Sequence, residues 1–186
     1  MYGNNTTIFV CDFKGDDDFS FLDGCDNYFC FMECSDGLDR YYDLFLKRQN
    51  KSTSNRNMLI LFFDEWASYL NFLDKKKAEE EKRKLSNLLM LGRSFNVHII
   101  ISQQRADAQY FSTARDNFNL VVGLGNLSPE SKDMLFHDYK DQMISDCKQG
   151  IGYMLTNGTD LARILVPTIT NMDKLHNTIK SAVNNN

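Results

Sequence analysis

Apolar residues gather in short runs separated by polar and charged segments, and the period within each run sets the expected elements. Ile8-Phe9-Val10-Cys11 and Tyr28-Phe29-Cys30-Phe31-Met32 are each bounded by Asp, Gly or Asn and predict two buried strands. Beyond Ser35, a good N-cap residue, Leu38, Tyr41, Tyr42 and Phe45 recur at helical spacing as far as the polar stretch NKSTSNRN at 50–57. A helix is therefore expected between the second strand and a third. That third strand, Met58 to Phe63, is six apolar residues in a row and ends at Asp64-Glu65. A run without polar alternation predicts burial on both faces, the environment of a parallel sheet covered by helices.

A long helical region follows, with the charge block DKKKAEEEKRK at 74–84. Glu79 with Arg83 and Glu80 with Lys84 are favourably ordered i,i+4 pairs, so the block reads as a solvated helix face rather than a binding tail. The helix becomes amphipathic at Leu85, Leu88 and Leu89 before Gly92-Arg93. Val97 to Ile101 predicts a fourth strand and Leu120 to Gly123 a fifth, with a short helix around 108–115 between them. Ser128-Pro129 places an N-cap before a proline at the first helical position and opens a helix to about 138. Asn157-Gly158, between the apolar runs Ile151–Leu155 and Leu161–Val166, predicts a hairpin. Met172, Leu175, Ile179 and Val183 mark a final amphipathic helix. There is no internal repeat, and only the two termini and 50–57 look disordered. The alternation predicts an α/β fold, a mostly parallel sheet flanked by helices with a carboxyl-terminal hairpin, in one domain over 1–186.

Composition narrows the choices. With 186 residues, 42% of them hydrophobic, the chain is long enough to bury a sizeable core. A net charge of −4 excludes a broadly basic surface, so any nucleic-acid contact has to be local or created by assembly. Cys11, Cys25, Cys30, Cys34 and Cys147 are odd in number and repeat no CxxC spacing, which indicates neither a disulfide framework nor a zinc site and fits a reducing compartment. No stretch approaches the roughly 18 apolar residues of a membrane span, and the amino terminus is not a signal peptide. A soluble cytoplasmic segment without membrane contact is expected, which leaves a membrane anchor elsewhere in a longer protein open.

The chemistry sits at strand ends. An apolar strand closing on adjacent carboxylates puts them at the carboxyl edge of the sheet, where open α/β folds bind ligands. In phosphate-cleaving motors the first carboxylate holds the water shell of Mg²⁺ and the second polarises the attacking water, roles that Asp64 and Glu65 fit. Capping of the next helix is the plain alternative for such a pair. The next strand ends in Ser102-Gln103-Gln104-Arg105, and a parallel neighbour would bring these level with the carboxylates. A Gln amide there could sense a γ-phosphate or orient water, whereas an ordinary turn would use it to satisfy loose backbone groups.

The chain resembles the motor domain of the FtsK/SpoIIIE DNA translocases, within the wider HerA-FtsK group of ring ATPases. MLILFFDEWASYL is similar to that family's Walker B strand, LGRSFNVHIIISQQRADA to its arginine, strand and TQRP-like segment, IFVCDFKG to its strand and DPK, and QGIGYML to its GxGxM-type hairpin. These cover roughly residues 8–167. The resemblance implies a RecA-like P-loop NTPase core in which Asp64 and Glu65 take the Walker B positions, Gln104 the Gln of TQRP with Ala106 in place of Pro, and Arg93 an arginine that reaches the neighbouring subunit's nucleotide. Asp12 and Lys14 match the DPK segment, with Phe13 in place of its Pro, and Arg105 follows the Gln. It further implies ATP and Mg²⁺ in the full-length motor, double-stranded DNA as partner, self-association into a hexameric ring, and service in cell division, chromosome segregation or conjugation. No GxxxxGK[ST] occurs, so this chain alone is expected to bind ATP weakly or not at all and to be inactive by itself. In the family that loop precedes the segment matched by IFVCDFKG, and the chain reads as the carboxyl-terminal part of such a core. The alternatives are a catalytically silent ring-assembly or regulatory module and a secretion-type ATPase of the same group.

Other features carry less. His98, inside an apolar strand, reads as a buried or edge histidine, His137 and His176 as helix-surface residues, Asp16-Asp17-Asp18 as a solvated turn, and Trp66, Tyr110 and Phe111 as packing residues.

Overall fold

The computed structural model describes residues 6–144 and 146–184; the expected disorder of the extreme termini falls on residues outside them. Two compact units emerge, one formed by residues 1–104 and 171–186 and the other by 105–170.

In the first unit, β1 (Thr6–Asp12), β2 (Tyr28–Cys30), β3 (Met58–Asp64) and β4 (Val97–Ser102) form a parallel sheet in the order β2-β1-β3-β4. Leu59, Leu61 and Phe63 of β3 are buried, as are Phe9 and Cys11 of β1. The helices α1 (Cys34–Gln49), α2 (Trp66–Phe72) and α3 (Lys75–Leu91) supply Tyr41, Phe45, Trp66, Tyr69, Leu85 and Leu88 to the core. Tyr41 meets Phe9 edge-on at 5.4 Å and Trp66 meets Phe63 at 5.1 Å. The opposite face packs Val10 against Leu22, Cys25 and Val183, the last from α5 (Met172–Val183), with Ile8, Phe62 and Ile179 beside them. Burial is therefore complete on one face of β3 and partial on the other, where Ile60 and Phe62 are half-buried and Met58 is exposed.

Several expectations are corrected in this unit. The second strand stops at Cys30 because Phe31 takes φ +48, and a 3-10 turn from Phe31 to Glu33 leads directly into α1. Ser35 consequently lies inside the first turn, and Glu33 occupies the N-cap position without a side-chain bond. The helical region after β3 is two helices, broken at Leu73-Asp74, where the Asp74 carboxylate accepts from the amides of Lys76 and Lys77. The charge block is not wholly solvated: Glu81 is fully buried, 2.9 Å from Lys77 Nζ and 3.1 Å from Lys84 Nζ, and Lys84 also pairs with Asp39 of α1. A buried carboxylate needs such partners, and Lys84 turns to Glu81 and Asp39 rather than to Glu80 because burial makes those contacts count for more. Lys82 likewise closes on Glu79 at 2.9 Å, one residue short of the expected Arg83.

The alternation of strand and helix ends at β4. In the second unit, β5 (Leu120–Leu124) pairs antiparallel with β6 (Ile151–Thr156), which pairs antiparallel with β7 (Asp160–Leu165). The hairpin turns at Asn157 and Gly158, both at positive φ, as the dipeptide predicts. The segment expected as a helix around 108–115 is two 3-10 turns, 108–110 and 112–117; Phe111, between them, is buried and meets Phe118 edge-on at 5.3 Å. Ser128 caps α4 (Pro129–Phe136) through Ser131 N, and a 3-10 turn continues it to Gln142. Phe136, Met143, Cys147, Tyr153 and Leu155 form the core of this unit.

Candidate functional site at the carboxyl edge of the parallel sheet

The register brings the strand ends level. Asp12 of β1 pairs with Asp64 of β3, and Asp64 with Ser102 of β4. Because all three strands run the same way, their next residues emerge on one edge.

Asp64 is half-buried and accepts a hydrogen bond from the Ser102 side chain. Burial pushes its carboxyl above the usual range against the lowering effect of that bond, and the negative charges of Glu65, Asp12 and Asp16 push the same way. Such a group is easier to fold protonated than ionised, so its contribution destabilises the native state above its raised pKa and the penalty disappears as pH falls through it. Asp64→Asn is therefore expected to raise the thermal midpoint at pH 7 by a few degrees, with the gain shrinking toward pH 4, as a calorimetric pH series would read.

Glu65 sits at φ +58, ψ +45, a left-handed conformation unusual for a residue with a side chain. Its amide donates to Ser102 O at 2.9 Å, its carbonyl accepts from Tyr69 N at 3.0 Å, and its carboxylate accepts from Ser68 Oγ at 3.0 Å. The bend redirects the chain from β3 into α2 and separates the aims of the two adjacent carboxylates.

Asp12 is fully buried, and its two oxygens accept from Gly15 N at 2.9 Å and Tyr28 Oη at 3.1 Å. Gly15 has φ +63, and a Cβ there would stand 3.0 Å from Cys30 Sγ, so the turn that Asp12 ties down accepts only glycine without displacement. Burial first, then the Asp12 charge, push the Tyr28 phenol well above its ordinary value, which keeps it a donor to that carboxylate. Lys14, on the same turn, is exposed and paired with Asp16, which raises the ammonium's pKa. Among the described residues no cluster of three metal-binding side chains forms, the Asp16-Asp17-Asp18 turn included.

Gln104 lies two residues beyond Ser102 and is exposed. Its neighbour Gln103 is half-buried, with Oε1 buried and without a hydrogen-bond partner in the protein. Arg105 is exposed, and the pKa of Glu130 is lowered first by a backbone hydrogen bond and one with Ser128, with a smaller contribution from the Arg105 charge. Arg93 is not brought to this edge. It is exposed in the 3-10 turn Gly92–Phe95 that precedes β4, and so stands at the other end of a six-residue strand. At about 3.3 Å per residue that separation is roughly 17 Å. Sequence reasoning brought Ser102 and Gln103 level with the carboxylates but gave a role only to Gln104, and it read Tyr28 as a strand residue alone, since only the strand register shows what faces Asp64 and Asp12. His98, on the edge strand, is half-buried with Nε2 3.1 Å from Asn96 Oδ1, and Trp66 is fully buried, as packing readings imply.

No family model matches the chain. The Ftsk domain-containing protein YdcQ of Bacillus subtilis is 26% identical over 161 residues, 83% of this chain and 34% of the relative. The chain is similar to this FtsK domain-containing protein. It spans about a third of the length of that curated relative. Among solved structures, the conjugation coupling protein TcpA of pCW3 superposes with a TM-score of 0.69 at 17% identity, over 95% of this chain and 56% of TcpA. The cytoplasmic domain of the type VII secretion ATPase EccC of Thermomonospora curvata gives 0.67 at 16% identity, over 97% of this chain and 24% of EccC. The genome packaging NTPase B204 of Sulfolobus turreted icosahedral virus 2, in complex with sulfate, gives 0.56 at 13% identity, over 83% of B204. At these identities the likeness concerns the fold alone. Among the described residues no helix is long and apolar enough to cross a membrane.

Proposed function

We propose that the FtsK-like chain is the carboxyl-terminal part of an ATPase core that moves double-stranded DNA, with the phosphate-binding loop contributed by polypeptide preceding this segment. The observation that carries the reading is the register that sets Asp12, Asp64 and Ser102 side by side, with Glu65 and Gln104 just beyond. In this reading Asp64 holds Mg²⁺ through its water shell, Glu65 polarises the attacking water, and Gln104 orients water or senses the γ-phosphate. Magnesium sites beside phosphates need only one or two protein carboxylates and keep several waters, and a half-buried aspartate at a strand end meets that demand. The metal would neutralise charge on the phosphate oxygens. Asp12, tied to Gly15 N and Tyr28, positions the Lys14 turn. The unpartnered Oε1 of Gln103 is a buried acceptor that a donor on a bound ligand or water would satisfy.

Both units belong to the one core in this reading. The β4 edge of the sheet is unpaired among the described residues, with Ile100 52% exposed, and leaves room for a further parallel strand. Assembly is into a ring, hexameric by family resemblance, in which Arg93 serves the neighbouring subunit's nucleotide. Similarity to TcpA, a conjugation coupling protein, supports DNA as the substrate, and similarity to EccC, a secretion ATPase, favours a protein substrate as the second reading. The test is ATP hydrolysis by the polypeptide that joins this segment to the one preceding it. Stimulation several-fold by duplex DNA is expected. Hydrolysis indifferent to DNA but raised by a secreted substrate would select the second reading, and no hydrolysis would leave the silent module.

A further inference from the structure

We propose that the amino-terminal edge of the parallel sheet carries a binding surface for the phosphate backbone of duplex nucleic acid, formed by Lys47, Lys51 and Arg56 around the buried Arg48. Nucleic acid as the polyanion rests on the reading above; the positive surface does not. From 47 to 57 the chain holds these four cations and no carboxylate, and the remaining residues are Gln, Asn, Ser and Thr, side chains that hydrogen-bond phosphate oxygens. The adjoining turn Gly92–Asn96 likewise carries Arg93 and no carboxylate.

The two segments are fastened into one surface. Arg48 is 3% exposed and donates to Phe95 O at 2.7 Å, Asn96 O at 3.2 Å and Asn57 O at 2.6 Å. Asn96, at φ +56, donates through Nδ2 to Arg56 O at 2.9 Å and through its amide to Arg93 O at 3.2 Å. The Arg56 guanidinium lies over the Phe95 ring at 5.3 Å. The stretch 50–57, which looks disordered in sequence, is thus an irregular connection held at both ends, with Asn57 N donating to Asn55 Oδ1 at 2.8 Å and Ser52 N to Lys47 O at 2.8 Å.

Its charge is left over. A buried cation is ordinarily paired with an anion, yet Arg48 is met by three carbonyl dipoles, which accept hydrogen bonds from it without cancelling its charge. Burial, and then the nearby Arg56 charge, lower its pKa against a raising contribution from Tyr41. Among the described residues none of Lys47, Arg48, Lys51, Arg56 and Arg93 is in an ion pair, whereas Lys77, Lys82 and Lys84 of α3 each hold a carboxylate. In a chain of net charge −4 this is a local positive field of the kind nucleic-acid binding needs. The stretch between the cations is polar throughout and offers no apolar anchor to a lipid surface.

The experiment measures anisotropy of a short fluorescein-labelled duplex titrated with the 186-residue chain at several salt concentrations, for the natural chain and for the triple variant Lys47→Ala, Lys51→Ala, Arg56→Ala. All three side chains are on exposed residues, and Lys51→Glu alone serves as a second variant if the triple one loses its circular-dichroism spectrum. The variant is expected to bind at least about tenfold more weakly, with the slope of log K against log salt reduced by about 2 to 3. Unchanged affinity and slope would overturn the proposal. So would a natural chain without salt-dependent binding, preference for phosphatidylserine vesicles over duplex, or a variant whose only change is in sedimentation, which would make the edge a contact between copies. The motor reading is tested apart from this, because loss of duplex binding says nothing about the Glu65 chemistry and inactivity of the joined polypeptide says nothing about the slope.

Discussion

Glu65→Gln abolishes hydrolysis by the polypeptide joining this segment to the preceding one, with a loss of about 10² to 10⁴, while ATP binding stays within about twofold of the natural protein because Gln is nearly isosteric. The structure gives this prediction its particular form. Glu65 is at positive φ, and its backbone already holds Ser102 O and Tyr69 N, so exchanging carboxylate for carboxamide leaves the turn and α2 in place. The Ser68 hydroxyl that donates to the carboxylate can equally donate to the amide oxygen. What disappears is the negative charge that, in the proposed reading, polarises water. Single-turnover hydrolysis and nucleotide titration, run on one preparation, separate the two effects. Unchanged turnover would remove Glu65 from the chemistry, and lost binding would mean that it shapes the site rather than acting in it.

Arg93→Ala should lower turnover by about 10³ in the assembled protein and hardly at all in dilute monomer. The sheet itself argues for this dependence on assembly: Arg93 precedes β4 and Asp64 ends β3, so strand length keeps the guanidinium from the carboxylates of its own chain. Its exposed position leaves it free to serve a neighbour. The check is turnover against protein concentration with sedimentation alongside. An equal loss at every concentration would show Arg93 acting within its own fold, as a cation near the end of α3 would.

What the sequence shows of this fold follows from burial. The six apolar residues before Asp64 announce a covered parallel strand, because a strand packed between helices has little choice of side chain, whereas the similar run Val97–Ile101 forms the sheet edge with Ile100 exposed. The paired turn residues Asn157 and Gly158 announce the hairpin for a local reason, the positive φ that both adopt. Long-range partners leave no such local trace. Glu81 reads as one more solvated glutamate until Asp39 and Lys84, 45 residues apart, are seen meeting beside it. Asp12 looks like a loop residue until Tyr28 and Gly15 are found bonded to it in a buried site. For the candidate site, the acidic pair and the glutamine were legible as strand-end residues, whereas the Ser102 contact and the unpartnered Gln103 oxygen depend on which residue of β4 falls opposite Asp64. The antiparallel pairing of β5 was hidden because a short apolar strand does not reveal its partner's direction.

The last helix has a practical consequence for anyone trimming this protein. Val183 is fully buried against Val10, Leu22 and Cys25, and its carbonyl accepts from Asn27 Nδ2 at 3.0 Å, so α5 closes a sheet whose last strand ended some seventy residues earlier. The intervening 105–170 segment is spliced into its host by two covalent junctions. Shortening or lengthening those junctions costs little in chain entropy, but cutting the polypeptide at Thr170 would bare greasy residues of the sheet and invite aggregation, however well the excised segment behaved alone.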